Sequence, residues 1–256
     1  MEANEEARDW AELPRDALLA VLHRLHHEDV LTGAGQVCRP WRRAARDEPE
    51  LWRRIDLRRR AALSTPIVHL DAMAHVAVMH SAGRCEAFWA KDFVDDTFIV
   101  FLSRRAPKLK SLCLISSNIS TQACPLLKRL RLSKYRFHRR SAVGDSEAME
   151  IAKMRDLRCL QLLGNSISNV GLAAILGGCA RLESLDIRHC FDVEMNDETR
   201  VMCARLQTLR LPDDSMDGYD LSFGSPEMNP GIPGLGFPDN PVMNFGFRGD
   251  ILWDSW

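Results

Sequence analysis

The sequence predicts an α/β chain in three parts. A helical module covers 10–57 after a flexible start at 1–9, a short solenoid of strand-and-helix repeats covers 58–212, and a disordered tail covers 213–256. Three observations carry this prediction. The word L-x-x-L-x-L returns through the middle of the chain at a spacing of one strand and one return segment. Ahead of it stand three short segments with apolar stripes of helical period. Behind it, Gly and Pro recur (SPEMNPGIPGLGFPDNP), so no helix or strand can run far.

The helical module reads WAELPRDALLAVLHRLHHEDVLTGAGQVCRPWRRAARDEPELW over 10–52. Pro14 suits the first turn of a helix, and Leu18, Val21, Leu22 and Leu25 then form one apolar stripe. Asp29 is the expected N-cap of a second helix through Leu31 and Val37. Pro40 opens a third, which presents Trp41, Ala44 and Ala45. Three short helices cannot bury so many large apolar groups among themselves. The surplus calls for a partner or for the adjoining solenoid.

In the repeats, the word appears as Leu109/Leu112/Leu114, Leu127/Leu130/Leu132, Leu157/Leu160/Leu162, Leu182/Leu185/Ile187 and Leu206/Leu209/Leu211. First leucines are 18, 30, 25 and 24 residues apart. Two weaker copies stand upstream, Trp52/Ile55/Leu57 and Cys85/Phe88/Ala90. Each word is a strand whose alternate apolar side chains enter a shared core. Returns of helical period lie between, with faces at Leu70–Val78, at Val94–Leu102 ahead of Pro107, and at Val170–Leu176 ahead of Gly177-Gly178. One unit cannot bury its own apolar face, so the units must stack.

Cysteine follows the same punctuation. Cys124, Cys179 and Cys203 each precede a word by three residues, a slot that Ala106 and Met154 fill elsewhere. A slot shared with Ala and Met asks for a small or soft apolar side chain, not for a metal ligand or a disulfide. Asn165 and Cys190 fall three residues after their words, the Asn/Cys position of a leucine-rich repeat, where the side chain can bond the backbone of the turn.

Leu13-Pro14, Asp16, Leu22, Leu25, Val37-Cys38, Trp41 and Leu51-Trp52 resemble an F-box, the helical module that docks on the Skp-family adaptor of SCF-type cullin-RING ubiquitin ligases. With the repeats behind it, the chain to about residue 212 resembles an F-box/leucine-rich-repeat protein. VGLAAILGGCARLESLDIRHCFDV and LRLPDDS are similar to a plant subgroup of Skp-interacting F-box proteins, the SKIP19-like group. The resemblance implies that Leu13, Pro14, Leu18, Leu22, Leu25, Val30, Leu31 and Trp41 face the adaptor or form the core of the module. Its implied partners are the adaptor, the cullin and RING subunits reached through it, and a target protein held by the repeats.

Side chains between the leucines point to the concave face. Arg129, Arg131, Gln161, Asp186, Arg188 and Arg210 are the expected target-facing residues there. Lys134, Arg136, His138, Arg139 and Arg140 add positive charge, which would suit an acidic or phosphorylated segment or simply form a solvated face.

The sequence offers no enzyme chemistry and no cofactor. Gly33-Ala34-Gly35 lacks the third glycine and the preceding strand of a dinucleotide loop. His23 and His27, beside Glu28 and Asp29, would need a third convergent ligand to hold a metal. Lys+Arg 34 against Asp+Glu 35 argues against a nucleic-acid or membrane partner. The start, MEANEEARDW, is unlike a secretory signal, and the apolar run FIVFL is too short to span a bilayer. A chain of the cytoplasm or nucleus with reduced cysteines is expected. Eight acids against Arg248 make the tail strongly negative, with Phe245, Phe247, Trp253 and Trp256 among its aromatic residues. The function expected is that of a non-catalytic receptor subunit of a ubiquitin ligase. The alternative is a ligase-independent repeat scaffold whose N-terminal helices only cap the stack.

Overall fold

The computed structural model describes residues 9–58, 70–115, 126–134 and 143–215, all within one compact unit, Met1–Gly224. The expectations for residues 1–8, for Cys124, for Arg136 to Arg140 and for the chain beyond Ser215 lie outside the described residues.

A 3-10 turn, Trp10–Glu12, starts the module; Asp9 caps it by accepting from the Ala11 N–H at 2.8 Å. Helix α1 follows as Arg15–Leu22, with Pro14 at its N-cap, and buries Leu18 and Leu22. Val21, expected on the same stripe, is exposed. The second helix begins earlier than its expected cap. Helix α2 is His27–Asp29, so Asp29 lies inside it, and the chain continues through a π-helical turn, Val30–Ala34, into α3, Gly35–Val37. The wider turn brings Gly35 against the Val30 carbonyl, where a Cβ would stand 2.8 Å from the oxygen. Helix α4, Arg39–Arg46, opens on Pro40 and buries Ala44 and Ala45.

Among the described residues seven strands follow: β1 Arg54–Leu57, β2 Ala87–Lys91, β3 Ser111–Ile115, β4 Arg129–Ser133, β5 Cys159–Leu163, β6 Ser184–Asp186 and β7 Thr208–Arg210. They form one parallel sheet in chain order, β1 to β7, the topology of a solenoid. Strand β1 lies inside the span read as the helical module, yet it is the first rung of this sheet. The two weak words are therefore true rungs.

Register aligns the words position for position. Ile55, Phe88, Leu112, Leu130, Leu160, Leu185 and Leu209 face one another across successive strands. Leu57, Ala90, Leu114, Leu132 and Leu162 form a second row. Both rows are buried, apart from half-buried Leu209 on the last rung. Each full burial of a leucine contributes about 1.5–3 kcal/mol before the cost of ordering it.

Returns α5 Leu70–His80, α6 Asp96–Arg105, α7 Val143–Ile151, α8 Asn169–Gly178 and α9 Asp197–Cys203 pack on the core side of the sheet. Asp95, Ser168 and Asn196 cap α6, α8 and α9 through side-chain oxygens. Helices α7 and α8 meet closely: a Cβ on Gly178 would come 2.1 Å from the Ala152 carbonyl oxygen. The slot before each word closes a repeated turn, in which Ala106, Met154, Cys179 and Cys203 accept through their carbonyls from Leu109, Leu157, Leu182 and Leu206. All four slot residues are buried.

Candidate functional site

The helical module sorts the eight predicted adaptor residues into two groups. Leu18, Leu22 and Val30 lie in the core, the second of the two roles the resemblance left open for them. Pro14 is exposed, and Leu13, Leu25, Leu31 and Trp41 are half-buried, packed against the core with part of each side chain uncovered. Trp41 is fixed there because its indole N–H donates to the Trp10 carbonyl at 2.8 Å. Trp10 and Val37 are also exposed, 54% and 58%; Val37 is among the residues that carry the F-box resemblance, whereas Trp10 was not singled out in the sequence. Both are large apolar groups flanking predicted residues, but exposure is set by the tertiary fold.

The module is joined to the first rung of the sheet by a short aromatic stack. Trp52 is fully buried, donates its indole N–H to the Ala45 carbonyl at 2.7 Å, and lies between the rings of His27 and His80 at 5.5 and 5.3 Å. His27 Nδ1 accepts from the Asp56 N–H at 3.3 Å, which leaves Nε2 to donate to the Leu51 carbonyl at 3.0 Å. The neutral ring thus ties α2 to β1. Burial lowers the pKa of His27 against the opposing pull of the Leu51 carbonyl and Asp56, and burial lowers that of His80 as well. With both nitrogens of His27 occupied by backbone, the His23/His27 pair is not poised to hold a metal.

The concave face is less open than its sequence suggests. Toward its N-terminal end, Ala87, Trp89, Cys113 and Ile115 form a second apolar cluster. The Arg58 guanidinium lies 5.7 Å from the Trp89 ring centre and also binds Asp56 at 2.6 Å. Arg131 is 1% exposed, with its Nε 3.4 Å from the Ser133 hydroxyl. Asp186 and Arg188 are buried too, since the guanidinium grips the carboxylate through two bonds of 3.0 and 2.8 Å. Arg188 Nη1 then donates to the Ser215 carbonyl at 2.9 Å. Three of the six predicted target-facing residues are therefore internal, because neighbouring groups satisfy them before any guest arrives. Arg129 and Arg210 remain exposed, and Gln161 is half-buried. Lys134, expected to extend the positive face, donates to the buried Glu147 carboxylate at 2.7 Å.

The thiols are placed for packing. Burial pushes the Cys85 and Cys190 thiols up to about 12 and the Cys113 and Cys179 thiols up to about 11, so at neutral pH these four carry their protons and are poor nucleophiles. Cys190 donates to the Leu162 carbonyl at 2.7 Å, and Asn165 donates through Nδ2 to the Leu132 carbonyl at 3.0 Å. Leu132 and Leu162 are equivalent positions of successive words, so the Asn/Cys slot bonds the preceding rung in both repeats. Among the described residues no group of three His, Cys, Asp or Glu side chains could hold a metal ion, and no helix is long and apolar enough to cross a membrane.

The F-box-like family profile matches residues 10–58. The Arabidopsis thaliana protein named F-box protein SKIP19 is 32% identical, over 87% of this chain and 82% of its own length. A second Arabidopsis thaliana protein, provisionally named F-box/LRR-repeat protein 22, is 31% identical over 86% of this chain and 82% of its own length. A third, provisionally named F-box/LRR-repeat protein 23, is 33% identical over 84% of this chain and 56% of its own length.

Proposed function

The chain belongs to the family of F-box/leucine-rich-repeat proteins, and from that premise we propose that it is the substrate-recognition subunit of an SCF-type cullin-RING ubiquitin ligase. In this reading the helical module docks on a Skp-family adaptor and through it on cullin and RING subunits, while the solenoid holds a target protein. The observation that carries the reading is the apolar surface of the module: Trp10, Leu13, Pro14, Leu25, Leu31, Val37 and Trp41 are exposed or half-buried although a core lies beside them. Surface of that kind marks a site of association.

The mechanism is one of placement. A core continuous from Leu18 to Cys203 joins the module to the repeats. A target on the repeats is thereby held near a ubiquitin-loaded conjugating enzyme on the same scaffold, and its lysines react at raised effective concentration. The thiol that carries ubiquitin belongs to that enzyme; this chain supplies geometry. Such work belongs in the cytoplasm or nucleus.

Co-expression with a Skp-family adaptor tests the proposal. The wild type should capture the adaptor, and Leu13→Ala with Pro14→Ala should abolish capture while leaving the thermal melt of the solenoid in place. Failure of the wild type to capture adaptor would leave a repeat scaffold with a helical cap.

A further inference from the structure

The concave face divides into a closed half and an open half, and the open half has a charge pattern of its own. Over β1–β3 the face is occupied by the chain's own groups: the Arg58 guanidinium lies by Trp89, and Trp89 and Cys113 are both fully buried. Over β4–β7 the two face-forming rows are Arg129, Cys159, Ser184, Thr208 and Arg131, Gln161, Asp186, Arg210. Of these, Arg131 and Asp186 are buried. Accessible surface comes from Arg129, Thr208 and Arg210, with Cys159, Gln161 and Ser184 half-buried between them.

This surface carries two cations and no available anion. The one carboxylate in the two rows, Asp186, is held by Arg188. Neither Arg129 nor Arg210 makes an ion pair among the described residues. In between, the Gln161 Oε1 is buried without a hydrogen-bond partner among the described residues. A buried polar atom of that kind costs stability until a donor reaches it.

Resting on the reading of the solenoid as a target receptor, we propose that the β4–β7 face holds an extended acidic segment of the target protein, laid across the strands, with acidic side chains on Arg129 and Arg210. Spacing sets the motif. From β4 to β7 are three inter-strand steps of about 4.8 Å, and Arg210 stands two residues, about 7 Å, further along its strand than Arg129, so the two positions are about 16 Å apart, which an extended chain covers in about four to five residues. Acidic residues at i and i+4 of an extended segment point to the same side and reach both cations. A basic or purely apolar segment would leave both arginines uncompensated.

The test uses the full chain and a fluorescein-labelled peptide, Ser-Glu-Ser-Ala-Thr-Glu-Ser, read by anisotropy at low and at physiological salt. The acidic peptide should bind, its Lys-for-Glu counterpart should not, and binding should weaken with salt. Arg129→Glu with Arg210→Glu should weaken it on the order of tenfold or more. Lys108→Glu with Arg155→Glu, an equal charge change at exposed turns away from the face, should leave it unaltered. No binding, equal binding of the two peptides, or equal loss in the two double variants would overturn the proposal. Thermal melts on all variants check the fold. Adaptor capture on the same preparations separates the readings: its absence defeats the ligase assignment and leaves the peptide result standing, and the converse also holds.

Discussion

Asn165 shows how much of this molecule is decided by single side chains at fixed points of the repeat. Its Nδ2 serves the buried Leu132 carbonyl, the role Cys190 plays for Leu162 one repeat later. Asn165→Ala orphans that carbonyl and should cost about 1–3 kcal/mol, read as a lower urea midpoint with an unaltered slope. This slot was legible in the sequence because it stands at constant distance from the leucine words. The ring of His27 was not, because its partners, Leu51 and Asp56, are defined only once the module meets the sheet. Burial holds the folded pKa values of His27 and His80 below the ordinary 6.5, so the unfolded chain takes up protons first. Stability is then fully present above about pH 6.5 and falls as pH drops through and below that value. His80→Phe keeps an aromatic edge on Trp52 and should flatten this slope, measured by denaturant melts between pH 5 and 8.

At the scale of elements, strands were easier to read than helices. A strand word has period two and a fixed register, and a one-residue slip would turn its leucines to the wrong face. That is why even Trp52/Ile55/Leu57 and Cys85/Phe88/Ala90 prove to be rungs. The second helix of the module defeats the same logic, since the π turn at Val30–Ala34 breaks the helical period and displaces the start to His27. Between elements, tight fits do the holding. Gly178→Ala would drive a Cβ to 2.1 Å from the Ala152 carbonyl oxygen and should force α7 and α8 apart, lowering the melting temperature and speeding amide exchange in both helices. Trp52→Ala empties the centre of the His27–Trp52–His80 stack and should cost about 3–5 kcal/mol.

For the whole molecule, one continuous core makes the helical module the first layer of the solenoid, so it both caps the stack and keeps an outer apolar surface. The sequence made the order of parts plain, because each part has its own period. It could not separate contact residues from core residues: Leu18 and Leu25 look alike on a stripe, and only packing buries one and leaves the other half open. On the concave face it counted charges without knowing which were already paired, and Arg131, Asp186 and Arg188 were lost to the interior for that reason. In the proposed function, the uncovered surface of the module is an adaptor site tied to a target face by one core. Size-exclusion chromatography with light scattering on the chain co-expressed with a Skp-family adaptor tests it most directly. The wild type should form a one-to-one complex that is lost on Val37→Glu, with the variant chain still folded and monomeric. A wild type that elutes apart from the adaptor, or a Val37→Glu chain that keeps the complex intact, would contradict it.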